Sequence, residues 1–322
     1  VMAVLGFPRA QALLAEGKDD LYKGYAENLA RLKDEVGKAV SSETPKDLYS
    51  WRLRAIAALS RKPEGKLPKA YASPAWPDKE LTAALGSWTE LRHDNILYTK
   101  ESYTASQMAL AGMGKSGGPV PPPPPPPQGY VEPAPEVYAA VRGGVDALRD
   151  KLKTLAYPED AMLTRYIEQF SQNVAMLENI SKKELAGEAL SVGEFRFIEE
   201  IGGYFQMPTF GYPHGRDVER EFMSEADQYL PIVADVHTDV NTKSVLEEAV
   251  GVPMAVYMVC PVNGEDSVCI GAVYSQYEFK QPMDKRLTDE EWRDMIKKDS
   301  TTDKPMPLSP WTASYVTMRP SR

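Results

Sequence analysis

Residues 255–279 read AVYMVCPVNGEDSVCIGAVYSQYEF. Both halves are dense in β-branched and aromatic side chains, and Asn263-Gly264 stands between them. Asn-Gly readily takes the two positive φ angles of a tight hairpin turn. Strands are therefore predicted from Ala255 to Pro261 and from Ser267 to Phe279, joined across that turn. Upstream, Leu230 to Asp239 is a further β-rich run, and Lys243 to Val250 reads as a short helix closed by Gly251. Downstream, Thr288-Asp289-Glu290-Glu291 opens another short helix with a capping-box pattern. Trp311 to Met318 could supply a last strand.

Everything before this region reads as helix. Tyr22, Tyr25, Leu29, Leu32, Val36 and Val40 recur at the spacing of one helical face. Leu48, Trp51, Ala55 and Leu59 repeat it, with Pro45 near the start. Pro63, Pro68, Pro74 and Pro77 mark an irregular crossing. A third helical region is predicted from Asp78 to Met108, broken at Gly86-Ser87. Tyr138, Val141, Val145, Leu148, Leu152 and Leu155 form a narrow bundle seam, and Leu163, Ile167, Phe170, Val174 and Leu177 form another. Ser191-Val192-Gly193-Glu194 is a capping box before Phe195, Ile198, Ile201 and Phe205. The fold class expected is α+β: predominantly helical, with bundle or α/α-like packing, and a small antiparallel sheet near the C-terminus. The expected regions are 1–118 (helical), 119–135 (polyproline strap), 136–228 (helical bundle) and 229–322 (α+β, with the hairpin 255–279), forming one continuous unit.

Charge and composition narrow the classes of function. The 322 residues carry 37 Lys and Arg against 46 Asp and Glu, a net charge of −9. Residues 1–118 hold 17 basic and 14 acidic side chains, so the acidic excess belongs to the rest. Such a balance disfavours nucleic acid as a partner, because phosphate neutralisation needs clustered Lys and Arg. No apolar run approaches the ~20 residues that span a bilayer. Seven of the 27 prolines form one run, Pro121 to Pro127, whose polyproline II preference suits a stiff connector. Gly114-Lys115-Ser116 lacks the earlier glycine of a phosphate loop, because Ala109 occupies that position. The chain begins at Val1 without an initiator Met or a basic leader, which reads as the middle of a longer polypeptide.

Two groups of residues could carry chemistry. On a regular strand, Asp235, His237 and Asp239 share one face, where two carboxylates and an imidazole could bind a divalent cation or place a general base near water. On a helix, Glu90 shares a face with His93 and with Asp94, and Glu-x-x-His is half of a di-metal ligand set. The competing reading is that Arg92, Asp94 and Asn95 lock this helix to its neighbours. A divalent cation is the one cofactor these residues suggest. His214 falls in a loop. Cys260 and Cys269 flank the hairpin turn. A loop of Asn263-Gly264 leaves the sulfurs diagonal, whereas Gly264-Glu265 would oppose them directly, where they could be bridged.

Three stretches stand out together: Leu85-Gly86-Ser87-Trp88-Thr89-Glu90-Leu91-Arg92-His93-Asp94 with Tyr98, and Gly129-Tyr130-Val131-Glu132-Pro133. The third is Ala234-Asp235-Val236-His237-Thr238-Asp239 with Val245-Leu246-Glu247-Glu248, followed by Tyr274 to Phe279. In this order they resemble one uncharacterised family of extracytoplasmic proteins, the domain of unknown function numbered 3160. The resemblance implies export, often as a lipoprotein, with lipid anchoring through an upstream segment. It also implies a longer parent chain, so the partners expected are that upstream part or another subunit. No activity comes with it. The leading expectation is an extracytoplasmic binding or scaffold protein, or a subunit of a cell-surface assembly. The alternative is a metal-dependent hydrolase of an extracellular polymer using Asp235, His237, Asp239, Glu90 and His93.

Overall fold

The apolar stripes of the first region become helices in the computed structural model, which describes residues 1–42, 45–95, 129–159, 161–204, 231–299 and 307–317. The proline run, the glycine-rich segment before it, the stretch from Ile96 to Met108, Phe205 and His214 lie outside the described residues. The helices are α1 (Pro8–Glu16), α2 (Tyr25–Ser41), α3 (Leu48–Ala58) and α4 (Ala75–Asp94). The α3 start is fixed by Asp47, whose carboxylate accepts the Ser50 N–H at 2.7 Å. Their inner faces, with Met2 and Phe7, close one core around Ile56, Leu81, Ala84, Trp88 and Leu91.

The break expected in the third helix does not occur, and α4 runs unbroken through Gly86-Ser87. Gly86 is instead a point of close approach. A Cβ built there would lie 2.6 Å from the Tyr274 ring, so the missing side chain admits a tyrosine rather than ending the helix.

α5 (Pro135–Thr154) and α6 (Met162–Ala186) pack against each other, and α5 also packs on α3. Gly143 and Gly144 make room there for Trp51, whose ring would stand 2.4 Å from a Cβ at Gly143. Arg142 and Lys182 converge on Glu178 at 2.9 and 2.5 Å. α7 (Val192–Glu199) carries the predicted capping box, with Ser191 and Glu194 satisfying each other's backbone N–H, and α8 (Ile201–Tyr204) follows it.

The C-terminal region holds β1 (Ile232–Asp239), β2 (Ser244–Val250), β3 (Met254–Val262), β4 (Glu265–Val273), β5 (Gln276–Pro282) and α9 (Asp289–Asp299). The segment predicted as a helix, Lys243 to Val250, is strand β2, the middle of an antiparallel sheet ordered β1-β2-β5. Its Leu, Glu and Ala favour a helix locally, but four of its last five residues are buried, and this central position overrides propensity. One face of the sheet packs α9 through Val233, Ala249 and the fully buried Trp292, whose indole N–H donates to the Val250 carbonyl at 2.8 Å. α4 crosses the same sheet. The capping box at Thr288 and Glu291 is formed.

β3 and β4 form a separate hairpin, with φ of +50° at Asn263 and +85° at Gly264, the signature of the predicted turn. The run Ser267 to Phe279 is divided at Tyr274-Ser275, because β5 leaves the hairpin to join the other sheet. Of the segment expected to supply a last strand, Trp311 to Met318, the described residues 311–317 contain no strand. The chain makes a tight 3-10 turn at Pro310–Ser314, where proline favours the first helical position. Trp311 and Tyr315 both donate to the Thr82 hydroxyl, at 3.2 and 2.8 Å, pinning that turn to α4. The architecture is α+β and mainly helical, with small antiparallel sheets in the C-terminal half.

Candidate functional site

The strand carrying Asp235, His237 and Asp239 is irregular at the position that matters. Asp235 pairs with Glu247 and His237 with Leu246, so Val236 is an extra residue, a β-bulge. One extra residue reverses the alternation of side chains. Asp235 therefore shares a face with Glu247 and Thr238, while His237 and Asp239 lie on the other. The expectation of one shared face is corrected by this bulge. Arg286 grips Asp235 and donates to the Thr238 hydroxyl at 2.9 Å. Glu247 is fully buried and accepts the Leu287 N–H at 3.0 Å; burial, with Asp235 beside it, pushes its carboxyl up to about 7. Asp239 closes the turn to β2 by accepting from the Asn241 N–H and the Thr242 hydroxyl at 2.9 and 2.8 Å. His237 is exposed.

His93 and His237 are not brought into one site. His93 Nε2 lies 2.9 Å from Asp289 Oδ2, at the start of α9, and Nδ1 lies 3.9 Å from Asp94. The Asp289 hydrogen bond, helped by Asp94, raises the imidazole to about 9. It is therefore a cation at neutral pH. Asp289 also accepts the Val233 N–H at 3.0 Å, and Arg52 pairs with Asp94. This joins α4, α9 and β1 through His93, not through the residues expected to lock the helix: Asn95 donates back to the Leu91 carbonyl within α4, Arg92 Nε has no partner among the described residues, and Asp94, beyond α4, reaches only Arg52 of α3. Burial raises the Glu90 carboxyl, and the Tyr274 hydroxyl beside it works in the opposite sense. Among the described residues, no group of three or more His, Cys, Asp or Glu side chains is placed to hold a metal ion.

Of the two hairpin registers, the protein adopts Asn263-Gly264 as the loop. Cys260 faces Ser267 and Cys269 faces Met258, so the directly opposed pair is not formed and both thiols are free. Burial pushes the Cys260 thiol up, which keeps it protonated and unreactive.

The arrangement best suited to a ligand lies beneath the tip of this hairpin. A cavity of about 320 Å³ opens between the end of α6, the start of α7, Gly129-Tyr130 and the turn residues Asn263 and Gly264. Leu190, Phe195, Pro261 and Val262 give it apolar walls, and exposed Lys66 and Glu188 also line it. Two polar atoms on lining residues, Tyr130 Oη and Glu184 Oε2, are buried and have no hydrogen-bond partner among the described residues. The other Glu184 oxygen accepts the Val131 N–H at 3.1 Å. Burial raises the Glu184 carboxyl to about 8, since ionising it there would forfeit hydration with no cation paired to it. Burial pushes the Tyr130 phenol up as well. The Glu184 carboxyl and the Tyr130 phenol are therefore both neutral at pH 7.

A family model described as "Protein of unknown function (DUF3160)" matches residues 1–312. The chain belongs to this family. No curated protein and no solved structure matches it. Of the stretches that suggested DUF3160, Gly129-Tyr130-Val131 supplies one wall of the cavity and the backbone donor to Glu184. The other two meet at the α4–sheet contact, where Gly86 receives Tyr274. Glu184 itself escaped sequence reasoning. It sits three residues before Gly187, a left-handed helix end, amid Lys182, Lys183 and Glu188, and reads there as one more solvated charge. Only the packing of the segment around Tyr130 over it marks it out.

Proposed function

We propose that this chain is an extracytoplasmic binding protein whose ligand occupies the cavity beneath the Asn263-Gly264 turn. The observation that carries the reading is the cavity itself, walled by Leu190, Phe195, Pro261 and Val262 and lined also by Tyr130 and Glu184, whose Oη and Oε2 atoms are buried without a hydrogen-bond partner among the described residues. Native interiors rarely leave such atoms unsatisfied. A mostly apolar cavity with a few convergent polar groups is the usual form of a small-molecule site. The export implied by the family resemblance supplies the extracytoplasmic part. The metal-dependent hydrolase reading loses its geometry, because the bulge at Val236 divides Asp235 from His237 and Asp239, and His93 is held by Asp289.

The test is a thermal-shift screen of neutral, cationic and anionic small molecules on the unaltered protein and on Ala189→Trp, which places bulk at the exposed lip of the cavity. A ligand at 100 times its Kd stabilises the native state by about 2.7 kcal/mol, and the tryptophan variant should lose that gain. A ligand response equal in both proteins, or none in either, refutes the reading.

A further inference from the structure

A strand with one face on a core and the other in water alternates apolar with polar residues. β3 and β4 do not. From Met254 to Val262 and from Val268 to Val273 they hold no charged side chain, the pattern of strands covered on both faces. The fold covers one face alone. Val256, Met258, Cys260 and Val262 of β3, with Cys269 and Val273 of β4, are buried or half-buried. Ala255, Tyr257, Val259 and Pro261 between them, with Val268, Ile270 and Ala272, are exposed. The register sets Tyr257 opposite Ile270 and Val259 opposite Val268, so these four form one apolar block, 69, 70, 44 and 68 % exposed in that order. Ala255 and Ala272 extend it at the base of the hairpin. We infer that this outward face is the contact between two copies of the chain, stacked face to face about a two-fold axis.

Charge, shape and area choose the occupant. The only charged side chains of the hairpin are Glu265 and Asp266 beside the turn, and Lys69 holds Asp266 at 2.6 Å. A partner bringing charges to the block would bury them unpaired, and an anionic lipid surface would meet a chain of net charge −9. The same block on a second copy brings no charge at all. A two-fold axis lying across the strands, level with Met258 and Cys269, sets the bulky Tyr257–Ile270 rung of each copy over the smaller Val259–Val268 rung of the other. It also points the acidic turns in opposite directions. The two Asp266 residues then lie roughly 20 Å apart along the strands, beyond the ~8 Å screening length. With a large side chain presenting roughly 150–250 Å², the block and its flanking alanines expose about 500 Å². A bare apolar patch of this size on one chain is often functional. Two copies bury about 1,000 Å², the floor for a specific interface and the area of a weak, reversible dimer.

Sedimentation velocity of the chain from ~5 to ~500 µM tests this, and the area predicts a dimer with a Kd of about 10–100 µM. Ile270→Lys and Val268→Glu each put a charge into the shared face twice over, and each should weaken the dimer at least about tenfold. Both side chains face water in the monomer, so the melting temperature of the monomer should not change. Leu21→Lys, at an equally exposed apolar residue in the turn after α1, should leave the Kd unaltered. The axis lays position 270 of one copy over position 268 of the other. Ile270→Lys and Val268→Glu mixed in equal amounts should therefore form a dimer at least about threefold tighter than either forms alone. A monomer throughout this range overturns the inference, whatever lipid or protein it then binds. So does a dimer that both charged variants leave as tight as the Leu21→Lys control, and a mixture no tighter than its components overturns the two-fold stack.

Discussion

Replacing Glu184 by glutamine should make the protein less sensitive to alkali, by an amount the structure sets. In the fold, burial raises this carboxyl from its ordinary 4.5 to about 8. Below pH 4.5 the acid is neutral in both the folded and unfolded chain, and it costs nothing. Between 4.5 and 8 only the unfolded chain ionises, so stability falls by about 1.4 kcal/mol for each pH unit. Above 8 the folded form ionises too, and the loss levels off. At pH 7 the cost reaches about 3 kcal/mol as an upper bound, and about 1–2 kcal/mol once residual water access is allowed for. Glutamine has the same shape, keeps an acceptor for the Val131 N–H, and cannot ionise. Urea unfolding followed by tryptophan fluorescence at pH 5, 6, 7 and 8 would compare the two proteins. The variant should gain steadily on the parent as pH rises. Glu80, Glu247 and Glu248, whose carboxyls burial raises to about 8, 7 and 9, tilt both proteins the same way and cancel in the difference. A stability difference that stays constant from pH 5 to 8 would refute the assignment of Glu184 as a buried, neutral acid.

Three other consequences can be measured directly. His93, raised to about 9 by Asp289, contributes stability that is complete below pH 6.5 and is lost as pH climbs through about 9. His93→Gln should remove that dependence, and a parent whose unfolding midpoint is flat from pH 6.5 to 9.5 relative to the variant would contradict the ion pair. Gly86→Ala pushes a methyl into the Tyr274 ring and should cost about 1–3 kcal/mol in chemical denaturation; an unchanged midpoint would mean that α4 and Tyr274 do not touch. Trp292→Phe leaves the Val250 carbonyl without its indole donor and should cost about 1–3 kcal/mol, with faster amide hydrogen exchange in β2 as a local readout.

What could be read in advance was local. The Ser191 and Thr288 capping boxes, the Asn263-Gly264 turn and the apolar stripes of α2, α3, α5 and α6 each depend on residues a few positions apart, and each formed, although Tyr22 and Leu155, the outermost members of two stripes, fall outside their helices and are exposed. The errors came where distant partners outvote neighbours. Val245 to Val250 prefers helix by composition but is a strand, because β1 and β5 flank it and both its faces are covered. Gly86 looks like a helix breaker until Tyr274, far along the chain, fills the gap it leaves.

The candidate site divides in the same way. Sequence alone singled out Asp235, His237 and Asp239 by their alternation, and a bulge of one residue at Val236 undid it. It also placed His93 beside Glu90 on α4 but said nothing of Asp289, which turns that histidine into the cation of an ion pair. Tyr130 and Glu184 are separated by 53 residues and share no pattern; they become a pair only when the chain before α5 folds over the end of α6 and the hairpin tip closes above them. Periodicity, caps and turns report the energetics of a few adjacent residues, and these settled the helices, the hairpin and the α+β class. Burial of a carboxyl, which raises its pKa, is a property of three-dimensional packing, and tertiary structure alone decided it.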